Sequence, residues 1–93
     1  MKLWFENSER NERLIADCRD WKDVNETIDD FIRTCNDKKI AAIMDAYPDD
    51  FDISKVPVFK RYYTRTWKQD DGRTRIDVGS HTEFFILDEN SNI

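Results

Sequence analysis

The chain has 93 residues, of which 13% are aromatic and 38% charged, with two glycines and two prolines. This length fits one domain spanning 1–93, and the scarcity of glycine and proline argues against long disordered linkers. The 15 basic and 20 acidic side chains leave a net charge of −5; no apolar run approaches the ~18 residues of a membrane span, and Met1–Glu6 has no signal-peptide core, so no membrane partner and a cytoplasmic location are expected.

Lys2 to Asn7 reads as a short strand, with Leu3 and Phe5 on one face and Trp4 on the other. Arg13 to Cys18 reads as a second strand that makes a hairpin with the first. A short helix over Glu9–Trp21 is the rival reading, because short apolar runs do not decide between the two. Asp23 with Glu26 three residues on forms a helix start. Val24, Ile28, Phe31, Ile32 and Cys35 then recur at helical spacing and form one stripe. Asn36-Asp37 interrupts that pattern, since both side chains compete for helix backbone bonds. A second helix is expected over Lys38–Tyr47, with Ile40, Ile43, Met44 and Tyr47 inward, ended by Pro48.

Val58 to Trp67 is rich in residues that suit a pleated surface. Asp71-Gly72 is a favoured two-residue hairpin turn, which sets Trp67 opposite Ile76 and turns both toward the helix stripe. Gly79-Ser80 marks a turn or bulge. Thr82 to Leu87 is a last strand, apolar on both sides, and so central or covered by a helix. As the last strand it could also be an unpaired edge that invites homodimerisation. The tail from Asp88 to Ile93 is expected to fray. The resulting class is α+β, a mostly antiparallel sheet in the order β-β-α-α-β-β-β with two helices packed on one face. Cys18 and Cys35 lack metal-site spacing and are expected as buried thiols, although a bridge between them stays open.

Four constellations carry chemical interest. Residues 1–52 hold a net charge of −6 and residues 53–93 a net of +1. In the acidic half, Asp45, Asp49, Asp50 and Asp52 lack the alternation of a calcium loop and read as a solvated connector or a charged contact for a protein. Trp4 and Trp21 are aromatic anchors for such a contact if exposed. In the second half, Lys60, Arg65, Lys68, Arg73 and Arg75 lie on or near the aromatic hairpin and could bind nucleic acid. Asp77, His81 and Glu83 could gather a metal for hydrolysis, but with one histidine and no paired cysteines the set is short of ligands. No cofactor, no metal and no catalytic set are expected.

The stretch Tyr62-Tyr63-Thr64-Arg65-Thr66-Trp67, followed by Asp77-Val78-Gly79-Ser80-His81-Thr82-Glu83-Phe84-Phe85, resembles small accessory proteins of phages and prophages of Gram-positive bacteria, a group without a defined activity. The resemblance covers about the last third of the chain and transfers no functional residue. It implies a small inhibitor or adaptor of a host protein. The function expected is therefore binding and modulating a partner protein rather than catalysis, with nucleic-acid binding through the hairpin and metal-assisted hydrolysis as alternatives.

Overall fold

A computed structural model describes residues 1–56 and 58–89. The elements are β1 (Lys2–Glu6), β2 (Glu12–Asp17), α1 (Trp21–Ala46), a 3₁₀ turn (Ile53–Lys55), β3 (Arg65–Lys68), β4 (Thr74–Asp77) and β5 (Phe84–Asp88). The strands form one antiparallel sheet in the order β2-β1-β5-β4-β3. The tail, expected to fray from Asp88, is held at its start: Asp88 ends β5, and Glu89 accepts from the Thr74 hydroxyl and pairs with Lys68; residues 90–93 lie outside those described.

Among the described residues there is one α-helix where two were expected. The start is one turn earlier than Asp23: Asp20 is the N-cap, and its carboxylate accepts from the Asp23 N–H at 2.8 Å. Asp23 in turn accepts from the Arg19 N–H at 3.0 Å, a bond that holds its carboxyl below the usual carboxylate range. The expected break at Asn36-Asp37 does not occur because the Asn36 amide bonds elsewhere. It donates to the Phe59 carbonyl at 2.7 Å and accepts from the Phe59 N–H at 2.8 Å. An asparagine satisfied by a distant backbone no longer competes with its own helix, so α1 runs unbroken for 26 residues.

The strand reading of residues 12–17 holds, and β2 pairs with β1 through an irregularity between Leu3 and Trp4. The second hairpin departs from expectation by one residue. The Gln69 N–H donates to the Arg73 carbonyl, and the Gly72 N–H returns to the Gln69 carbonyl. The loop therefore has three residues, Asp70 to Gly72, with Gly72 at φ 88° in the left-handed position such loops use. The pairing becomes Thr66 with Ile76 and Trp67 with Arg75. One residue of slip exchanges the faces: Ile76 is fully buried, while Trp67 points away from the helix and is 40% exposed. The strand expected over 58–67 is shorter, only Arg65–Lys68. β5 lies in the middle of the sheet, so the edges are β2 and β3.

Two rows of paired residues cross all five strands. Arg13, Phe5, Phe85, Ile76 and Thr66 make one; Leu14, Trp4, Ile86, Arg75 and Trp67 make the next, on the opposite face. The helix covers the face of the first row. There Leu3, Val24, Ile28, Ile76, Val78, Phe85 and Leu87 are fully buried, and the rings of Phe5, Phe31 and Phe85 meet with centroids 4.7–5.8 Å apart. Cys18 joins this core, and burial pushes its thiol pKa up. Cys35, also expected to be buried, is exposed; the two are free thiols. Among the described residues no helix is long and apolar enough to cross a membrane.

Candidate functional site

A strand of four to six residues spans about 13–20 Å, whereas 26 helical residues span about 39 Å. The helix must therefore outrun its sheet. The buried positions of α1 are Val24, Ile28 and Ile32, all in its first half. The molecule measures 50 × 23 × 22 Å with a radius of gyration of 15.1 Å, against the ~12 Å of an average compact chain this long.

The projecting end is not bare. The Tyr47 N–H closes on the Ile43 carbonyl at 2.9 Å, the chain turns at Pro48, and the 3₁₀ turn folds back toward the helix. A small cleft of ≈ 200 Å³ opens there between Ile43, Tyr47, Phe51 and Val56, with Asp50, Asp52 and Lys55 beside it. Met44 is 49% exposed, and Tyr47 and Ile53 are each 63% exposed. The inward orientation expected for Met44 and Tyr47 thus fails, because no sheet lies beneath them. The signal available was length: an apolar stripe longer than the strands can cover must end in solvent or against another molecule.

Asp45, Asp49 and Asp50 surround this end, exposed and without a hydrogen bond or ion pair among the described residues. Asp52 has a structural use. It caps the 3₁₀ turn, accepting from the Ser54 hydroxyl at 2.7 Å and the Ser54 N–H at 3.0 Å, and these bonds hold its carboxyl below the usual range. No family model matches the chain, and no curated protein or solved structure is similar to it. Its function is therefore read from its own geometry.

The two tryptophans named as anchors lie apart from the acidic end and from each other. Trp21 opens α1 and is exposed, about 36 Å along the axis from Asp45. Trp4 is half-buried in the outer row of the sheet. The basic residues of the second hairpin are largely committed. Lys68 pairs with Glu89 at 3.3 Å, and Arg73 pairs with Glu12 at 2.6 Å and Asp71 at 2.8 Å. The Glu12 bond, more than any other influence, raises the Arg73 pKa. Arg75 is paired with Glu6, and Arg65 lies over the Trp67 ring at 5.6 Å. Lys60 alone of the five has no such partner among the described residues. A nucleic-acid backbone would have to displace acids already in place.

Asp77, His81 and Glu83 are not brought together as a ligand set; among the described residues no three His, Cys, Asp or Glu side chains gather to hold a metal. Asp77 is buried and accepts from the Gly79 N–H at 2.9 Å and from the Tyr63 hydroxyl at 3.4 Å. Glu83 accepts from the Ser80 hydroxyl. This turn borders a larger cleft of ≈ 750 Å³ between residues 58–63, residues 79–83 and Lys39 of α1. Gly79 is essential to its wall. Its φ is 98°, and a Cβ there would sit 3.0 Å from the Tyr62 Cβ and 3.2 Å from the Tyr63 ring. Gly72, at φ 88°, has open space. Gly79→Ala is therefore expected to cost about 2–3 kcal/mol and Gly72→Ala about 1 kcal/mol, the backbone strain being common to both. Urea midpoints measure the difference; equal losses would mean that the tyrosine contact carries no weight.

Proposed function

We propose that the protein is a small acidic accessory protein of the phage type that binds and modulates a partner protein, and that it does so with the projecting end of α1. The observation that carries this reading is the pairing of exposed apolar side chains, Met44, Tyr47 and Ile53, with three exposed carboxylates, Asp45, Asp49 and Asp50, that form no ion pair among the described residues. A grouped set of exposed apolar side chains rimmed by charge is a feature of contact surfaces. The free acids select a basic surface on the partner and speed the encounter. A host protein with an apolar contact inside a basic rim fits this end. The commitment of Arg73, Arg75 and Lys68 to internal acids favours a protein partner over nucleic acid. The two free thiols, one of them exposed, suit a reducing cytoplasm.

The test is capture from extract of the native host by the wild-type protein and by Asp45→Lys/Asp49→Lys/Asp50→Lys. The reversal is expected to lower capture of any specific partner at least about tenfold, the scale of close interfacial charges, with the thermal midpoint nearly unchanged because these carboxylates hold no internal bond. Raising the salt should weaken the wild-type complex in the same direction. Capture that survives the reversal undiminished would remove the acidic end as the contact.

A further inference from the structure

The ≈ 750 Å³ cleft shares no lining residue with the cleft at the projecting end, although Lys39 stands only one helical turn before Ile43, and its chemistry is different. Its volume falls in the ~300–1,000 Å³ range of small-molecule sites. Two lysines face it, Lys39 from α1 and Lys60 from the loop before β3. Neither has an acid partner among the described residues. This matters because acids outnumber bases in the chain, and every arginine is occupied: Arg10, Arg19, Arg33, Arg61, Arg73 and Arg75 in ion pairs, Arg13 and Arg65 over aromatic rings. Two unneutralised ammonium groups on one concave surface favour an anion.

The remaining lining narrows the ligand. Tyr62 is exposed although it stands in the cleft wall, and the close fit of its Cβ and ring over Gly79 fixes where that ring stands. The Tyr63 hydroxyl is held by Asp77. A fixed, exposed ring offers a stacking platform to a planar group. His81 is held at φ 70°, a conformation uncommon outside glycine and one that concentrates at binding sites. Glu83 lines the cleft too, and only its Oε2 is engaged by Ser80. A bare anion would be repelled by that carboxylate, whereas a ligand carrying hydroxyl or ring N–H donors beside its charge would use it. We propose that this cleft binds a mononucleotide: phosphate on Lys39 and Lys60, the base stacked on Tyr62, and a donor of the sugar or base on Glu83.

Calorimetry and amide-resolved NMR on the full chain, with the four ribonucleoside monophosphates, inorganic phosphate and a short single-stranded oligonucleotide as probes, test this. At least one mononucleotide should bind at millimolar concentration and shift the amide signals of Gly79, His81 and Glu83. Lys39→Ala/Lys60→Ala and, separately, Tyr62→Ala should each weaken it about tenfold, the scale of one lost stacking contact. These side chains are exposed and carry no side-chain bond among the described residues, so the fold should persist; the amide shifts of the wild type stand independently of the variants. No binding of any mononucleotide, equal binding of inorganic phosphate, or binding unchanged by both variants would overturn the assignment. An oligonucleotide preferred by more than tenfold would overturn it in favour of a strand. None of these results bears on partner capture by the projecting end.

Discussion

Phe85→Ala is expected to destabilise the protein by about 3–5 kcal/mol, most of what a chain of this length possesses. Phe85 is fully buried and sits on the central strand, paired on one side with Phe5 and on the other with Ile76. Its ring meets Phe31 of α1 edge-on at 5.8 Å and Phe5 at 5.5 Å. Removing it opens a cavity at the point where sheet and helix are joined, and neither neighbour can fill the gap without leaving its own pairing. The thermal midpoint should fall by roughly 12–30 °C, or the variant should fail to fold at room temperature. Phe85→Leu, which keeps most of the volume, should lose only about 1–2 kcal/mol. Met44→Ala, on the projecting end, should stay within about 0.5 kcal/mol of wild type. A loss below about 1.5 kcal/mol for Phe85→Ala would mean that the three-ring cluster is not the structural centre.

The residues that proved legible in the sequence are those whose partners lie close in the chain or whose spacing is periodic. Val24, Ile28, Phe31 and Ile32 repeat at helical spacing, and that stripe does face the sheet; Leu3 and Phe5 alternate, and both join the core. The misreadings have local causes with remote origins. Asn36 looks like a helix breaker until the Phe59 backbone, 23 residues on, takes its amide. Trp67 looks like core until one left-handed residue, Gly72, lengthens the turn and slips the register. Cys35 and Met44 continue the helical stripe, but whether a stripe is covered depends on strand length, and the strands here are short. The acidic residues near the candidate contact were visible; that Asp52 caps a turn while Asp45, Asp49 and Asp50 find no partner among the described residues was not, because it depends on how the chain folds back after Pro48. The two halves of the larger cleft are likewise brought together only by the fold: Lys39 stands on the helix and His81 on a turn before the last strand.

The outer sheet face shows the same limit most clearly, and it carries the second large effect. Glu6→Ala is expected to cost about 2–4 kcal/mol, toward the lower end of the range for one lost member of a buried ion pair because Arg75 keeps some access to water. Glu6 and Arg75 are 69 residues apart and meet as a two-pronged pair, Nη1 to Oε1 at 3.0 Å and Nη2 to Oε2 at 3.1 Å. Arg10 adds a third bond to Oε1 at 2.9 Å. The Arg75 Nε–H also donates to the Gln69 side-chain oxygen at 2.9 Å, and the guanidinium stands 4.7 Å from the Phe84 ring. Glu6 is thus a carboxylate on the face away from the helix that is nonetheless buried, and its loss leaves Arg75 largely desolvated without its counter-charge. The Arg75 hydrogen bonds, foremost, hold the Glu6 carboxyl below its ordinary value of 4.5, against the upward push of burial. A depressed value in the folded state fixes the sign of the pH effect. The stabilisation is complete above about 4.5, where the unfolded chain is also ionised, and disappears as pH falls through the lower folded value. The stability gap between wild type and Glu6→Gln, read from urea melts, should therefore be widest at neutral pH and close in acid. Comparing the two proteins separates Glu6 from Asp23, Asp52, Asp71 and Glu89, whose carboxyls are also held low and titrate alike in both. A gap that does not change with pH would show that the carboxylate acts by shape alone, and that the charge of Arg75 is balanced by other groups.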